Sequence, residues 1–254
     1  MKSHRGYRQI LGIRFYAGDI HGALERMRHG GLLVVPAAPA LKDLATNPSY
    51  REALIHADVA ITDSAFMVMI WNLLERDSIR RLSGLEYLRG LLQMDEVRKP
   101  CETLWIMAGP ANAKRNLEWL EEQGILVPED YVYMAPMYGG EIQDEALLAR
   151  LRELRPKHII ITVGGGTQER LGLYLKRSLE YTPSIHCIGA AIAFLSGDQV
   201  RIPAWADKLY LGWLFRCFSA PGRYVPRYWE ARKLLPLMVR HRSQLPGHND
   251  REVA

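Results

Sequence analysis

The strongest constraint on the fold is a repeated alternation between short apolar runs and segments with helical periodicity. The apolar runs predict strands at 32–35, 60–62, 103–107, 131–134, 159–163 and 185–188. The other segments predict helices at about 40–57, 64–75, 113–123 and 144–154, with a further helix after Gly166. This order favours an α/β protein with a Rossmann-like, mostly parallel sheet and helices on both of its faces. Such sheets bind ligands at the carboxyl ends of their strands.

One predicted strand runs directly into three glycines, Gly164–Gly166. A strand, a glycine turn and a helix can form a phosphate site, because backbone N–H groups and the helix dipole then face the same anion. The run is not a P-loop, since Thr167 and Gln168 stand where Lys and Ser/Thr are needed. It is not a dinucleotide fingerprint either, since Glu169 occupies the third glycine position. A plain tight turn between strand and helix is the alternative.

Positive charge is concentrated near the C-terminus. The chain of 254 residues has a net charge of +5. Residues 213–242 hold seven Arg or Lys against one acid, Glu230, which is a larger excess than that of the whole chain. We therefore expect an anionic partner for this end: a membrane surface, a phosphorylated lipid or a nucleic acid.

The composition is that of a soluble globular protein, with 48% hydrophobic and 24% charged residues. Cys101, Cys187 and Cys217 are far apart and show no CxxC spacing. This predicts a reducing compartment and argues against a disulfide framework or a zinc site. The sequence has no signal-peptide pattern and no apolar run of about 18–20 residues, so we expect a cytoplasmic protein.

The sequence changes character after Pro203, where arginines alternate with aromatic residues and no strand pattern remains. We predict three parts: an α/β domain at 1–204, a basic helical appendage at 205–242 and a flexible tail at 243–254. Tryptophan and arginine suit the headgroup level of an anionic bilayer, so the appendage is predicted to lie on a membrane. The alternative is an ordinary pair of basic surface helices. A nucleic-acid partner is not expected, since no recognisable nucleic-acid-binding motif is present.

Four sequence marks, taken in order, support a resemblance to a known family. The first is a strand followed by Asp63, with Arg81 and Gly84 about eighteen residues further on. The second is the run Gly164–Glu169 after a strand. The third consists of Gly189, Ala190, Phe194, Gly197, Arg201, Pro203 and Trp205. The fourth consists of Trp213, Arg216, Pro221, Arg223, Arg227 and Tyr228.

In this order and spacing the chain resembles the WecG/TagA/CpsF family of bacterial glycosyltransferases, over about residues 30–228. The resemblance implies an inverting enzyme that builds a cell-surface polymer on a lipid carrier. The chain departs from the family pattern at the segment 36–38, where Thr-x-Asn is usual, and at Ser64, Gly166 and Gly212, which replace Gly, Pro and Glu. We expect the reaction class to be retained and the sugar or acceptor to differ. The glycine at 166 should also loosen its loop, because it lacks the fixed φ of proline.

The resemblance assigns the role of general base to Asp63. An inverting transfer needs a base that takes the proton from the acceptor hydroxyl as this attacks the anomeric carbon. The alternative is a helix N-cap, because Thr62, Asp63 and Ser64 precede a predicted helix. The two roles can coexist.

The departing nucleoside diphosphate must be stabilised by a metal ion or by cationic and N–H donors. The sequence has no Asp-x-Asp motif and no His, Asp and Glu cluster at ligand spacing, so we expect no metal ion and no other cofactor. The predicted substrate-binding residues are Arg81, Gly109, Gly164, Gly165, Gly166, Gln168, Arg216, Arg223 and Arg227. The alternatives are a solvated surface position for Arg81 and a plain first-turn helix position for Gln168. His158 and His186 are expected to be packed rather than catalytic.

These inferences predict a metal-independent, inverting glycosyltransferase that is peripheral on the inner face of the plasma membrane. Its donor is a nucleotide sugar, with UDP the expected nucleotide, and its acceptor is a polyprenyl-diphosphate-linked saccharide. A homo-oligomer is compatible with the resemblance. The alternatives are a different nucleotide-sugar enzyme on the same scaffold and a non-catalytic nucleotide-sugar or lipid-binding subunit.

Overall fold

The computed structural model describes residues 6–197 and 212–247, apart from the side chain of Arg223. Eight strands within these residues form one sheet. The strands are β1 (Tyr7–Ile10), β2 (Ile13–Tyr16), β3 (Gly31–Val34), β4 (Val59–Ile61), β5 (Thr103–Met107), β6 (Val132–Met134), β7 (His158–Ile161) and β8 (Ser184–Cys187).

The sheet is mostly parallel, as predicted. Its order is β1-β2-β4-β3-β8-β7-β5-β6, and only β1 and β2 pair in antiparallel fashion among these strands. Val34 in β3 lies opposite Ala60 in β4 and Cys187 in β8. The central strands therefore end at one edge of the sheet, and the segments that follow them emerge side by side.

The described residues also form twelve α-helices, numbered here in chain order. The first six are α1 (Ile20–Met27), α2 (Ala38–Leu41), α3 (Pro48–Ile55), α4 (Ala65–Glu75), α5 (Gly84–Leu91) and α6 (Asp95–Arg98). The next six are α7 (Pro110–Glu122), α8 (Glu145–Leu154), α9 (Thr167–Ser178), α10 (Gly212–Ser219), α11 (Pro221–Ala231) and α12 (Leu234–His241). Two 3-10 segments, Glu129–Tyr131 and Gly189–Phe194, complete the described helical structure.

Helices cover both faces of the sheet, which confirms the α/β prediction. Side chains alternate along each strand, so Leu104 and Ile106 of β5 belong to one hydrophobic cluster, and Trp105 and Met107 belong to the other. The first cluster also contains apolar residues of α3, α4, α8, α9 and α12. The second contains those of α1, α5 and α7.

The prediction of a single helix at about 40–57 is wrong. The structure has two helices there, α2 and α3, and the second begins at Pro48. The side chain of Asn47 caps α3 by accepting a hydrogen bond from the Tyr50 N–H group at 3.0 Å. A proline without an N–H group suits the first turn of a helix and not its interior, so the chain breaks before it.

The hairpin of β1 and β2 was not predicted. Ile13 and Phe15 of β2 are buried while Arg14 between them is exposed. This is the alternation of a half-buried strand, although it is short and interrupted by charged residues.

The C-terminal end of the described chain is attached to the α/β body. Leu234 and Met238 of α12 are fully buried. The N–H groups of Leu11 and Gly12 donate to the carbonyls of Arg242 at 2.7 Å and Ser243 at 3.1 Å. The first residue of the predicted tail therefore bonds to the β1–β2 turn.

The division of the chain into three parts stays a prediction. Residues 205–211 of the predicted appendage and 248–254 of the predicted tail lie outside the described residues. Among the described helices, none combines the length and the apolar character needed to cross a membrane.

A chain of buried polar rings joins two central strands to α5. His158 of β7 and His186 of β8 lie 3.2 Å apart between Nδ1 and Nε2, and the other nitrogen of His186 is 2.9 Å from the hydroxyl of Tyr87. Both histidines are buried, which confirms that they are packed in the body. Burial lowers the pKa of His158 and lowers the pKa of His186 well below its usual value. The carboxylates of Glu96 and Glu102 act in the opposite sense on His158.

We predict that these histidines make the protein less stable in mild acid. Because their pKa values are lowered in the folded state, the unfolded chain binds more protons once the pH falls below about 6.5. The free energy of unfolding should fall below that pH by up to about 1.4 kcal/mol per pH unit for each histidine. Urea unfolding as a function of pH measures this slope. His158→Gln should reduce it, whereas substitution of the exposed His29 by Gln should not, and an unchanged slope in His158→Gln would contradict the assignment.

Candidate active site

A cleft lies at the carboxyl edge of the parallel strands. It is bordered by the segments that follow β3, β4, β5, β7 and β8 and encloses about 270 Å³. Of the predicted site residues, the cleft wall contains Asp63, Arg81, Gly164, Gly165, Gln168, Arg216 and Arg227. The sheet topology thus brings together residues that are widely separated in the sequence.

Asp63 is held at the end of β4 by the segment before α5. Its Oδ1 accepts a hydrogen bond from the Gly84 N–H group at 2.9 Å and lies 3.4 Å from the Nη2 of Arg81. The Nε of Arg81 donates to the Asp63 carbonyl at 2.6 Å. The Thr62 hydroxyl, which accepts from the Leu82 N–H group at 3.1 Å, fixes the two segments to each other. The carboxylate therefore has a defined orientation in the cleft.

The helix after β4 is capped by Ser64, not by Asp63. The Ser64 hydroxyl accepts a hydrogen bond from the Met67 N–H group at 3.2 Å. The capping alternative for Asp63 is therefore wrong. The solvated alternative for Arg81 is wrong as well, since only 14% of its side chain is exposed and it binds Asp63.

The glycine loop between β7 and α9 is fixed by a buried carboxylate. Glu169, which is 1% exposed, accepts a hydrogen bond from the Gly166 N–H group at 2.6 Å. Gly166 has φ +89°, a left-handed conformation that proline cannot adopt. Burial raises the pKa of the Glu169 carboxyl, and the bonds from Gln168 and Gly166 act in the opposite direction. The expectation that Gly166 loosens the loop stays a prediction, although the Gly166 N–H group is bound to Glu169.

Gln168 ties the same loop to the end of β8. Its side-chain oxygen accepts from the Gly189 N–H group at 2.5 Å, and its amide nitrogen donates to Glu169 at 3.1 Å. The residue is 2% exposed, which is more buried than a plain first-turn position requires. A primary amide has two N–H donors, so one donor is left for the cleft. Contact between Gln168 and a substrate stays a prediction.

The arginines of the appendage reach the cleft from α10 and α11. Arg216 lies over the ring of Phe194, with 4.5 Å between its Cζ and the ring centroid, and donates to the Tyr228 hydroxyl at 3.3 Å. The Nε of Arg216 is buried without a hydrogen-bond partner among the described residues. Arg227 is exposed and borders the cleft. The side chain of Arg223 lies outside the described residues, as do Arg201, Pro203 and Trp205 of the third sequence mark.

Two other glycines that were predicted to bind substrate, Gly109 and Gly166, are not among the described residues that border the cleft. Gly109 caps the N-terminus of α7 and is not among the described residues that border the cleft, although its neighbour Ala108 is. Gly166 borders a second groove on the far side of the loop. Substrate contact by either glycine stays a prediction.

Sequence reasoning missed the polar residues that α7 and β7 contribute. Asn112 and Asn116 of α7 and Thr162 after β7 border the cleft. Asn116 is 4% exposed and accepts a hydrogen bond from the Ser196 hydroxyl at 2.7 Å. The available signal was an asparagine at helical spacing among the apolar residues Ala113 and Leu120.

In the described ranges 6–197 and 212–247, no group of three His, Cys, Asp or Glu side chains could hold a metal ion.

Comparison with known proteins places this arrangement among enzymes that transfer sugars. One similar protein, from Bacillus spizizenii, is an N-acetylglucosaminyldiphosphoundecaprenol N-acetyl-beta-D-mannosaminyltransferase. It is 22% identical over 209 residues, which cover 78% of this chain and 77% of the relative. A protein of the same name from Staphylococcus aureus (strain NCTC 8325 / PS 47) is 20% identical over 189 residues, covering 73% and 71%.

The similarity extends over nearly the whole chain. The model of the glycosyl transferase WecG/TagA/CpsF family matches residues 8–248, which include the β1–β2 hairpin except Tyr7, the cleft and the C-terminal helices. The chain therefore belongs to the WecG/TagA/CpsF family of glycosyltransferases.

Proposed function

We propose that the chain transfers a sugar from a nucleoside diphosphate, UDP, to a saccharide carried on a polyprenyl diphosphate, with inversion and without a metal ion. The observation that supports this most directly is the fixed Asp63 carboxylate at the mouth of the sheet, between Arg81 and the glycine loop. The names of the two relatives specify an N-acetylmannosaminyl donor group and a GlcNAc-diphosphoundecaprenol acceptor. An acceptor of that class fits the proposal.

In the proposed reaction Asp63 acts as the general base. The acceptor hydroxyl oxygen attacks the anomeric carbon, its proton passes to the Asp63 carboxylate, and the bond to the diphosphate oxygen breaks. A single displacement of this kind inverts the anomeric configuration. The Gly84 N–H group and Arg81 orient the carboxylate, so that attack needs little rearrangement of the protein.

Cations on the cleft wall would stabilise the departing nucleoside diphosphate. Arg216 offers a buried Nε with no partner among the described residues, and Arg227 offers an exposed guanidinium. Gly164 and Gly165 of the glycine loop also border the cleft, where they let a phosphate approach the backbone closely. Preorganised donors of this kind stabilise developing negative charge in a transition state.

The appendage would bind the membrane that holds the lipid-linked acceptor. Large apolar side chains are exposed on α10 and α11: Trp213 at 48%, Phe218 at 80%, Val225 at 50% and Trp229 at 61%. Basic residues lie on the same two helices. Exposed aromatics with neighbouring arginines favour the interface of an anionic bilayer.

Substitution of Asp63 by Asn should abolish turnover and keep donor binding. Asparagine can still accept a hydrogen bond from the Gly84 N–H group but cannot take a proton, so kcat should fall by about 10²–10⁴-fold. The affinity for the UDP-sugar should stay within about twofold, since the base acts on the acceptor. Steady-state kinetics and calorimetry measure the two quantities.

The matched control is Asp19→Asn, because Asp19 is an exposed N-cap of α1 that is not among the described residues bordering the cleft. It should leave kcat unchanged. Wild-type turnover in Asp63→Asn would remove the general-base role. Donor binding without turnover in the native chain would indicate a binding subunit.

Replacing the exposed aromatics should release the protein from anionic vesicles. In a triple variant with Trp213, Phe218 and Trp229 changed to Ser, vesicle binding should weaken by about tenfold or more, because three anchors are lost. Vesicle co-sedimentation measures this, and UDP binding should be retained. Truncation of the appendage is a poorer test, because it removes α12 with its buried Leu234 and Met238.

The control for this variant is Met137→Ser, which removes an apolar side chain that is even more exposed, 98% accessible, from the loop after β6. It should not alter vesicle binding. Undiminished binding by the triple variant would show that the membrane contact lies elsewhere.

A further inference from the structure

A second groove lies on the far side of the glycine loop from Asp63. We call it the outer groove; it encloses about 470 Å³. Its wall includes Lys42, Tyr50, Gly166, Arg170 and Arg227. It shares Ala40, Gly165 and Arg227 with the cleft, so that the backbone of the glycine loop separates two adjoining spaces.

The outer groove contains a buried hydroxyl group without a partner. Tyr50 is 1% exposed, and its hydroxyl oxygen has no hydrogen-bond partner among the described residues. Burial and the nearby carboxylates of Glu169 and Asp43 raise the pKa of Tyr50 well above its usual value, so the hydroxyl keeps its proton. Both carboxylates bind other groups: Asp43 accepts from Lys42 at 2.6 Å and Glu169 accepts from Gly166. A buried donor without an acceptor is costly, and a ligand oxygen would satisfy it.

The cationic groups of the outer groove are also incompletely used. Arg170 donates through Nη2 to the Gly139 carbonyl at 3.2 Å, while its buried Nε has no partner in the described part of the chain. Arg227 contributes a second guanidinium. The N-terminus of α9, a helix of 12 residues, lies at Gly166 and Thr167 on the same wall.

The acidic residues of the groove do not cancel this positive character. Asp43 is paired with Lys42 at 2.6 Å, and Glu230 is paired with Lys233 at 2.8 Å. Two guanidinium groups, a helix N-terminus and a neutral hydroxyl donor remain. This set of donors suits the oxygens of a diphosphate.

We propose that the outer groove binds the diphosphate of the lipid-linked acceptor, with Tyr50 and Arg170 as its ligands. This inference rests on the proposed function and names the subsite for the second substrate. Arg227 and Glu230 of α11 border the groove, while Trp229 between them is 61% exposed. The outer groove thus adjoins both a helix with an exposed apolar side chain and, through Gly165 and Arg227, the cleft that contains Asp63. In such an acceptor the diphosphate likewise adjoins both the lipid and the sugar.

Binding of two diphosphates to the full chain tests the proposal. The probes are farnesyl diphosphate, a short prenyl diphosphate, and UDP, each measured by calorimetry with the wild type and with Tyr50→Phe and Arg170→Gln. Each variant should weaken the binding of farnesyl diphosphate by at least about fivefold, since each removes a hydrogen bond to the ligand. The affinity for UDP should stay within about twofold. Inorganic diphosphate should compete with farnesyl diphosphate, because the anion is the recognised group.

The controls are Tyr181→Phe and Arg152→Gln, which remove a tyrosine hydroxyl and an arginine that donate to the carbonyls of Leu151 and Ser178 outside the groove. Both should bind the two probes as the wild type does. The Tm of Tyr50→Phe should be unchanged or higher, because the lost hydroxyl has no partner. Should this variant unfold, Arg170→Gln alone decides the matter.

Two results would overturn the proposal. Weaker UDP binding with unchanged farnesyl diphosphate binding would assign the groove to the donor. Unchanged binding of both probes would exclude a diphosphate site. If the wild type transfers sugar and the groove variants bind both probes normally, the proposed function stands and this subsite is excluded. If the variants show the expected binding pattern but the wild type has no transferase activity, the diphosphate site stands and the proposed function is excluded.

Discussion

The parallel pairing of the central strands is the constraint on which the rest of the molecule depends. Strands β4, β3, β8, β7 and β5 lie side by side in register, so the segments after Val34, Ile61 and Ile161 must leave the sheet at the same edge. The chain has to return through helices between parallel strands, and these bury both faces. That edge is therefore the place where side chains from distant parts of the sequence can meet around a ligand.

Buried polar contacts give the glycine loop its shape. Gly164, Gly165 and Gly166 have no atom within 4 Å of the position that a Cβ would occupy, so the loop is bare backbone with open space beside it. Such a loop would be mobile without support, because glycine has the largest backbone freedom. Glu169 binds the Gly166 N–H group, and Gln168 binds the Gly189 N–H group at the end of β8. These two residues, which are 1% and 2% exposed, therefore hold the loop in place. A buried carboxylate or amide is stable only with such partners, so rigidity and burial depend on each other.

Sequence patterns predicted the parts of the fold that rest on local periodicity. The strand at 103–107 and the helix that ends at Leu154 match the structure because apolar spacing and a capping Asp144 mark them. The hairpin at Tyr7–Tyr16 was missed because a strand of four residues gives a weak periodic signal. In the site, Asp63 and Arg81 were found through family resemblance, but their contact was not, since it depends on tertiary packing. Tyr50 could not be predicted as a site residue from the sequence. The lack of a hydrogen-bond partner for its hydroxyl depends on tertiary packing and leaves no local sequence pattern.

The position of Arg227 on both the cleft and the outer groove has an electrostatic consequence for the proposed reaction. Donor and acceptor each bring a diphosphate, and two such anions repel each other when they approach across a thin wall of backbone. A guanidinium group that borders both spaces attracts each diphosphate, and these two attractions offset the repulsion in the ternary complex. Both substrates can then be held at the same time, and the attraction of the arginine for each weakens as salt screens the charges. Arg227 reaches both spaces from α11, and the three glycines of the loop leave open space between the backbone and any ligand on either side.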